Sequence, residues 1–240
     1  MNDETASRLL DLNRRFYQTF ANQFSQTRHR LQPGVKRVLQ TVEMEGRILD
    51  LGCGNGELGR ELARRGFRGY YVGADSAPGF LSVAEKNIPE DLQACLLQAD
   101  LASPDWDKIL PFASFEFIMA FAVLHHLPGE KLRRQVLEKV SALLVSGGCF
   151  VHSEWQFLNS PRLTNRIQAW EKIGLSASEV DGGDYLLDWR RGGYGLRYVH
   201  SFTPGELETL AEETGFRIVD AFYADGESGD LGLYQVWQHA

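Results

Sequence analysis

Two kinds of hydrophobic pattern alternate along this chain. Short apolar runs that end in an acid or a glycine mark strands; stretches with apolar residues at every third or fourth position mark amphipathic helices. Residues 3–22 are of the second kind, with Leu9, Leu10, Leu12, Phe16, Tyr17 and Phe20 on helical spacing. A further helix is expected after Pro33, where Val35, Val38, Leu39 and Val42 share a face. From Arg47 onward, strand and helix follow one another. Strands are expected at 47–51, 69–74, 92–98, 115–124 and 149–155, and helices at 57–65 and 130–144. Such repetition predicts an α/β fold built on a parallel sheet with helices on both faces.

Residues 156–202 interrupt the repeat. A helix is expected from Pro161 to Ile173, followed by the glycine-rich DGGD and then DWRRGGYGLRYVH. This stretch is too long and too rich in Trp, Tyr, Arg and His for a plain connector, so it reads as a substrate lid. Thr203-Pro204-Gly205-Glu206 is a helix start with a capping Thr, a Pro in the first turn and a Glu completing the box. Gly215 ends that helix, and two last strands, 216–223 and 231–238, form an antiparallel hairpin. The expected division is an N-terminal helical cap (1–45) and a main domain (46–240) carrying the insertion.

Composition narrows the class. A chain of 240 residues is long enough for one well-buried domain with an insertion. The start lacks a secretory signature and no apolar run approaches the ~20 residues of a membrane span, so a cytoplasmic protein without membrane contact is expected. Cys53, Cys95 and Cys149 are far apart and form no metal or disulfide pattern; they read as small buried hydrophobes in a reducing compartment. The net charge of −7 argues against bulk nucleic-acid binding, though a local basic patch is compatible with it.

The candidate chemistry centres on RILDLGCGNGELG, residues 47–59. Strand, glycine turn and helix allow close backbone approach to a ligand. Gly54, Gly56 and Gly59 fit a dinucleotide fingerprint, while Gly52, Gly54 and Gly56 form an alternating set directly after Asp50. A carboxylate there repels a pyrophosphate and suits the ammonium and sulfonium charges of S-adenosylmethionine (SAM). Asp75 follows 25 residues later, near the ~20-residue interval at which an acid meets a ribose diol. Asp100 sits past the next strand, as an adenine contact or a helix cap. Asp50, Asp75, Asp100 and His125 all fall at expected strand carboxyl ends, where ligands bind in such sheets. Arg28, in TRHR, reads either as part of a solvated turn or as a fork for a ligand carboxylate.

LDLGCGNG, GADSA, QADL, AVLHHL, LVSGG and the terminal hairpin together resemble the class I SAM-dependent methyltransferases. The resemblance implies a Rossmann-like, doubly wound seven-stranded sheet, mostly parallel with the last strand antiparallel. It further implies SAM as cofactor, held by Arg28, Asp50, Gly52, Cys53, Gly54, Asn55, Gly56, Asp75, Ser76, Asp100, Leu101 and Phe121. NRRFYQTFANQFSQTRHRLQPGVKRVL, HHL and LRYVHSFTPGEL are more distantly similar to eukaryotic tRNA wobble-uridine carboxymethyl methyltransferases. That likeness implies a pocket lined by Arg197, Tyr198 and His200, with Tyr17 also on the substrate side, and tRNA with a partner subunit as an alternative to a small-molecule or nucleoside substrate. Leu-Gln-Pro replaces that family's Trp-Pro after its TR pair, and GGDYLLDWRRGG is no signature of it.

For the acceptor, a carboxylate needs no base but benefits from an arginine, and Arg190, Arg191 or Arg197 could serve. An amine, hydroxyl or ring nitrogen could use His125, His126 or His200 as base. No residues have metal-ligand spacing. A non-catalytic partner subunit is the third alternative, and the intact glycine loop disfavours it.

Overall fold

In the computed structural model, which describes residues 1–25 and 30–239, adjacent residues of the first strand face opposite cores. Ile48 packs with helical residues Val35, Val38, Leu58 and Leu62 on one side of a sheet; Leu49 packs with Val136, Leu137, Leu207 and Leu210 on the other. Burial on both faces is why the strands read as near-continuous apolar runs. The strands are β1 (Arg47–Leu51), β2 (Tyr70–Asp75), β3 (Ala94–Gln98), β4 (Phe115–Phe121) and β5 (Leu144–Trp155), followed later by β9 (Phe216–Ala224) and β10 (Gly232–His239). Their order is β3-β2-β1-β4-β5-β10-β9, with β10 antiparallel to both neighbours and β1 to β5 paired parallel. This is the seven-stranded arrangement implied by the resemblance.

Helices α2 (Pro33–Val38) and α3 (Glu57–Arg64) supply the first core, while α5 (Glu130–Leu143) and α7 (Pro204–Glu213) supply the second. α4 (Pro78–Asn87) joins β2 to β3. Thr203 caps α7 through its side chain, as expected.

Three boundaries differ from the sequence reading. β4 stops at Phe121, because Ala122 takes a left-handed φ of 59° and the chain then makes a tight turn over Leu124–His126. His125 and His126 are therefore in a turn past the strand. Gly147 and Gly148 lie inside β5, where they absorb a register shift between the pairs Phe115–Leu144 and Phe117–Cys149. Lastly, the helix expected over 161–173 is broken. Its span holds the four-residue α6 (Pro161–Thr164), the short strand β6 (Ile167–Gln168) and a single 3₁₀ turn, Trp170–Ile173. The backbone of Ile167 and Gln168 pairs with Leu187 and Leu186, and that pairing outweighs the helical spacing.

β6, β7 (Asp184–Trp189) and β8 (Gly195–His200) form a second, antiparallel sheet. The long first helix, α1 (Asp3–Ser25), packs on β8: the Asn13 side chain accepts from Tyr198 N at 2.8 Å and donates to Tyr198 O at 3.1 Å. Of the cysteines, Cys53 is buried, whereas Cys95 and Cys149 are only half-buried; all three are free thiols. No helix is long and apolar enough to cross a membrane among the described residues.

Candidate active site

The carboxyl ends of β1, β2, β4 and β5 open into a cleft of about 390 Å³, within the usual size range of small-molecule sites. One side is the glycine loop. Gly52 and Gly54 have φ of 69° and 54°, and a side chain at Gly52 would collide with Val123 at 2.6 Å. The left-handed conformation brings Gly54 N within 2.9 Å of Asp75 Oδ2, while Asp75 Oδ1 accepts from Ala77 N, also at 2.9 Å. Asp75 thus braces the loop from the neighbouring strand.

Asp50 lies beneath the loop, 4% exposed, with the Tyr71 hydroxyl donating to it at 2.6 Å. Burial pushes its carboxyl up to about 7; the Tyr71 bond opposes this and nearby Asp75 reinforces it. Burial likewise raises Asp75, against the pull of the backbone N–H groups of Ala77, Gly54 and Ser76. Glu57, at the start of α3, and Asp100 also line the cleft. Four carboxyl groups lining one cleft favour a cationic ligand over a pyrophosphate, and the residues present fit SAM. Because Asp50 holds a proton below about pH 7, a cation seated beside it must displace that proton. We expect SAM affinity to climb by up to tenfold per pH unit below about 7 and to level off above it. For the free protein the sign reverses, since a raised carboxyl favours the protonated fold and stability declines as pH rises from about 4 to 7. Calorimetric titration in buffers of different ionisation enthalpy measures the proton release, and Asp50→Asn should flatten the profile.

Most expected cofactor residues do converge here. Asp50, Gly52, Cys53, Gly54, Asn55, Asp75, Ser76, Asp100, Leu101 and Phe121 all line the cleft. Gly56 stands behind it as the capping residue of α3, packed near Ala84 and Ile88. Arg28 lies outside the described residues.

The other side of the cleft is built from α1, the turn after β4, the end of β5 and β8. Tyr17, His125, His126, Trp155 and Arg197 line it. The Tyr17 hydroxyl is 2.7 Å from His126 Nε2 and accepts from Arg197 Nη1 at 3.3 Å. The Arg197 guanidinium sits over the rings of Trp155 and Phe16, 4.9 and 5.4 Å from their centroids.

Three expected residues point elsewhere. Alternation along β8 sends Arg197 toward the cleft and both Tyr198 and His200 behind it. Tyr198 donates to Asp184 Oδ1 at 2.7 Å; His200 bridges Asp184 Oδ1 at 2.7 Å and Glu206 Oε1 at 2.9 Å. Both side chains are almost fully buried, and neither lines the cleft. Arg190 is turned onto the buried Asp188 carboxylate, 2.7 Å away. His125 lines the cleft but is held by Glu154, with Nδ1 2.9 Å from Oε2. Glu154 takes His152 Nδ1 on its other oxygen at 3.0 Å. Burial raises Glu154 well above the carboxylate range and lowers His152 to about 3, so burial works against the charged form of each.

The sequence reading missed Glu154, Trp155, Asn13 and Arg14, the last of which reaches Asp100 from α1 at 3.1 Å. Spacing held the signal for some of them: Asn13 and Tyr17 are one helical turn apart, and Glu154 shares a face of β5 with His152. Among the described residues, no three His, Cys, Asp or Glu side chains cluster as a metal site.

Sheet order, glycine loop and strand-end acids together define a class I SAM-dependent methyltransferase. A methyltransferase-domain family model matches residues 24–221, and the chain belongs to that family. It is 26% identical over 223 residues to the tRNA (carboxymethyluridine(34)-5-O)-methyltransferase of Schizosaccharomyces pombe, an alignment covering 86% of this chain and 89% of that protein. Among solved structures, a SAM-dependent methyltransferase from Methanosarcina mazei superposes with a TM-score of 0.66 at 23% identity, covering 87% of this chain and 98% of that one. The N-methyltransferase NodS from Bradyrhizobium japonicum, solved with S-adenosyl-L-homocysteine (SAH), gives 0.56 at 14% identity over 98% of this chain and 97% of its own.

Proposed function

We propose that this methyltransferase acts on an oxygen or nitrogen acceptor carried by a small molecule or modified nucleoside. The observation that carries this reading is the Tyr17–His126–Arg197 cluster across the cleft from the glycine loop. SAM, when bound, supplies a methyl group already activated on a sulfonium, so the protein's main task is alignment. Trp155 and Phe121 offer flat apolar walls for a planar ring. Arg197, held between two aromatic rings, presents a fixed fork to an anionic substituent.

A second reading is tRNA wobble uridine as substrate. It is supported by the relative from S. pombe and by the suitability of Arg197 for a carboxymethyl group. The −7 net charge makes a partner subunit with basic surface the natural route to tRNA. On either reading, we expect SAM and SAH to raise the melting temperature by several degrees and NAD to leave it unchanged. Tritiated SAM incubated with a metabolite fraction, a nucleoside digest and total tRNA then separates the readings. Label in the first two supports a small acceptor; label in intact tRNA alone replaces it with the second.

A further inference from the structure

We infer that Tyr17 and His126 form a proton relay for an acceptor that arrives with its proton attached. The inference rests on the methyltransferase reading and adds to it the acceptor class, a hydroxyl or amine. His126 Nδ1 lies 3.3 Å from the carbonyl oxygen of Tyr198. A carbonyl only accepts, so Nδ1 carries a hydrogen, and the neutral ring keeps its lone pair on Nε2. The Tyr17 hydroxyl faces that lone pair at 2.7 Å. Its hydroxyl therefore donates to His126 while receiving a hydrogen bond from Arg197. An oxygen placed between a base and a fixed cation can give up a proton on one side while its developing charge is met on the other.

The surroundings accommodate both ends of such a transfer. If His126 becomes an imidazolium, Nδ1 still donates to Tyr198 O and Nε2 donates to Tyr17, whose hydroxyl needs only to rotate. Asn13 holds the arrangement in register, since its amide donates to both Tyr198 O and His126 O, at 3.1 and 3.3 Å. Half-buried, His126 has access to water. In the step itself, the acceptor's O–H or N–H bond breaks and its proton passes to the Tyr17 oxygen as the Tyr17 proton moves to His126 Nε2. The pair freed on the acceptor forms the bond to the methyl carbon, and the pair of the broken carbon–sulfur bond stays on sulfur. His126 afterwards returns the proton to water. A carboxylate acceptor has no proton to lose and makes no use of this path.

The test begins with ¹⁵N-histidine NMR of the wild-type protein, the His126 signals being assigned by their loss in His126→Asn. The Nδ1–H tautomer is expected, with an Nε2 resonance that moves in Tyr17→Phe. The Nε2–H tautomer would overturn the relay whatever the activity. Transfer from tritiated SAM to 5-hydroxyuridine, 5-aminomethyluridine and 5-carboxymethyluridine is the second arm. Tyr17→Phe should slow the hydroxyl and amine probes about 10²–10⁴-fold and the carboxylate probe, which loses only the Tyr17 contact to Arg197, at least tenfold less. Equal loss on all three, or none, counts against the relay. SAH titration is the control: unchanged binding in Tyr17→Phe confines the effect to the acceptor side, whereas no binding by the wild type would sink the underlying reading instead.

Discussion

Replacing Asp184 with alanine is expected to cost the fold about 3–5 kcal/mol, the range for breaking a buried charged cluster by removing one partner. Asp184 is 7% exposed and takes three donors: the Tyr198 hydroxyl and His200 Nδ1 on Oδ1, and the Asp181 backbone N–H on Oδ2. Alanine leaves the buried Tyr198 hydroxyl and His200 Nδ1–H unanswered. His200 then keeps only Glu206, which also faces Arg133 Nη2 at 3.4 Å. Burial by itself would lower His200, but its bonds to Asp184 and Glu206 outweigh this and raise it. The linkage sign follows: the stability His200 contributes is fully present below about pH 6.5 and is lost as pH rises through its higher folded value. Urea denaturation at pH 6 and at pH 8 should therefore show a larger wild-type advantage over Asp184→Ala at pH 6. A loss under about 1 kcal/mol at both would mean that the cluster is not holding the second sheet to α7.

The second large effect is on cofactor binding. Asp75→Ala should weaken SAH by about 100-fold or more. The side chain braces the glycine loop through Gly54 N and lines the cleft where a ribose diol is expected. Hydrogen bonds to a charged group are worth about 1.5–3 kcal/mol each, and about 1.4 kcal/mol is a factor of ten. Isothermal titration measures it directly. Affinity within about threefold of wild type would remove Asp75 from the cofactor site.

The cofactor half was legible because its determinants are local. A strand, a glycine turn and an acid at the next strand's end are each fixed within a few residues, and parallel pairing then brings Asp50 beside Gly73 and its strand end. The acceptor half depends on contacts that spacing along the chain does not announce. Leu163, Ile167, Trp170 and Ile173 match a helical period, yet β7 recruits Ile167 and Gln168 as a strand. RYVH was read as one pocket-lining segment, although a strand must divide it, with Arg197 on one face and Tyr198 and His200 on the other. That much could have been deduced from alternation. The pairing of Asn13 with Tyr198 could not, because the residues are 185 positions apart and only the folded sheet brings them together.

The same long-range contact bears on how such an enzyme can be re-engineered. Asn13 and Tyr17 on the first helix meet Tyr198 and Arg197 on the third strand of the insertion, so two distant tracts of the polypeptide join the turn after β4 and the end of β5 on the acceptor side of the cleft. A chimera that imports only residues 156–202 from a relative would mate a foreign strand with the resident helix and leave the tyrosine, histidine and arginine out of alignment. Exchanging helix and insertion together keeps their shared seam intact. In this scaffold, acceptor preference should be transplantable as a matched pair of segments, provided the resident His126 and Trp155 suit the incoming helix and strand.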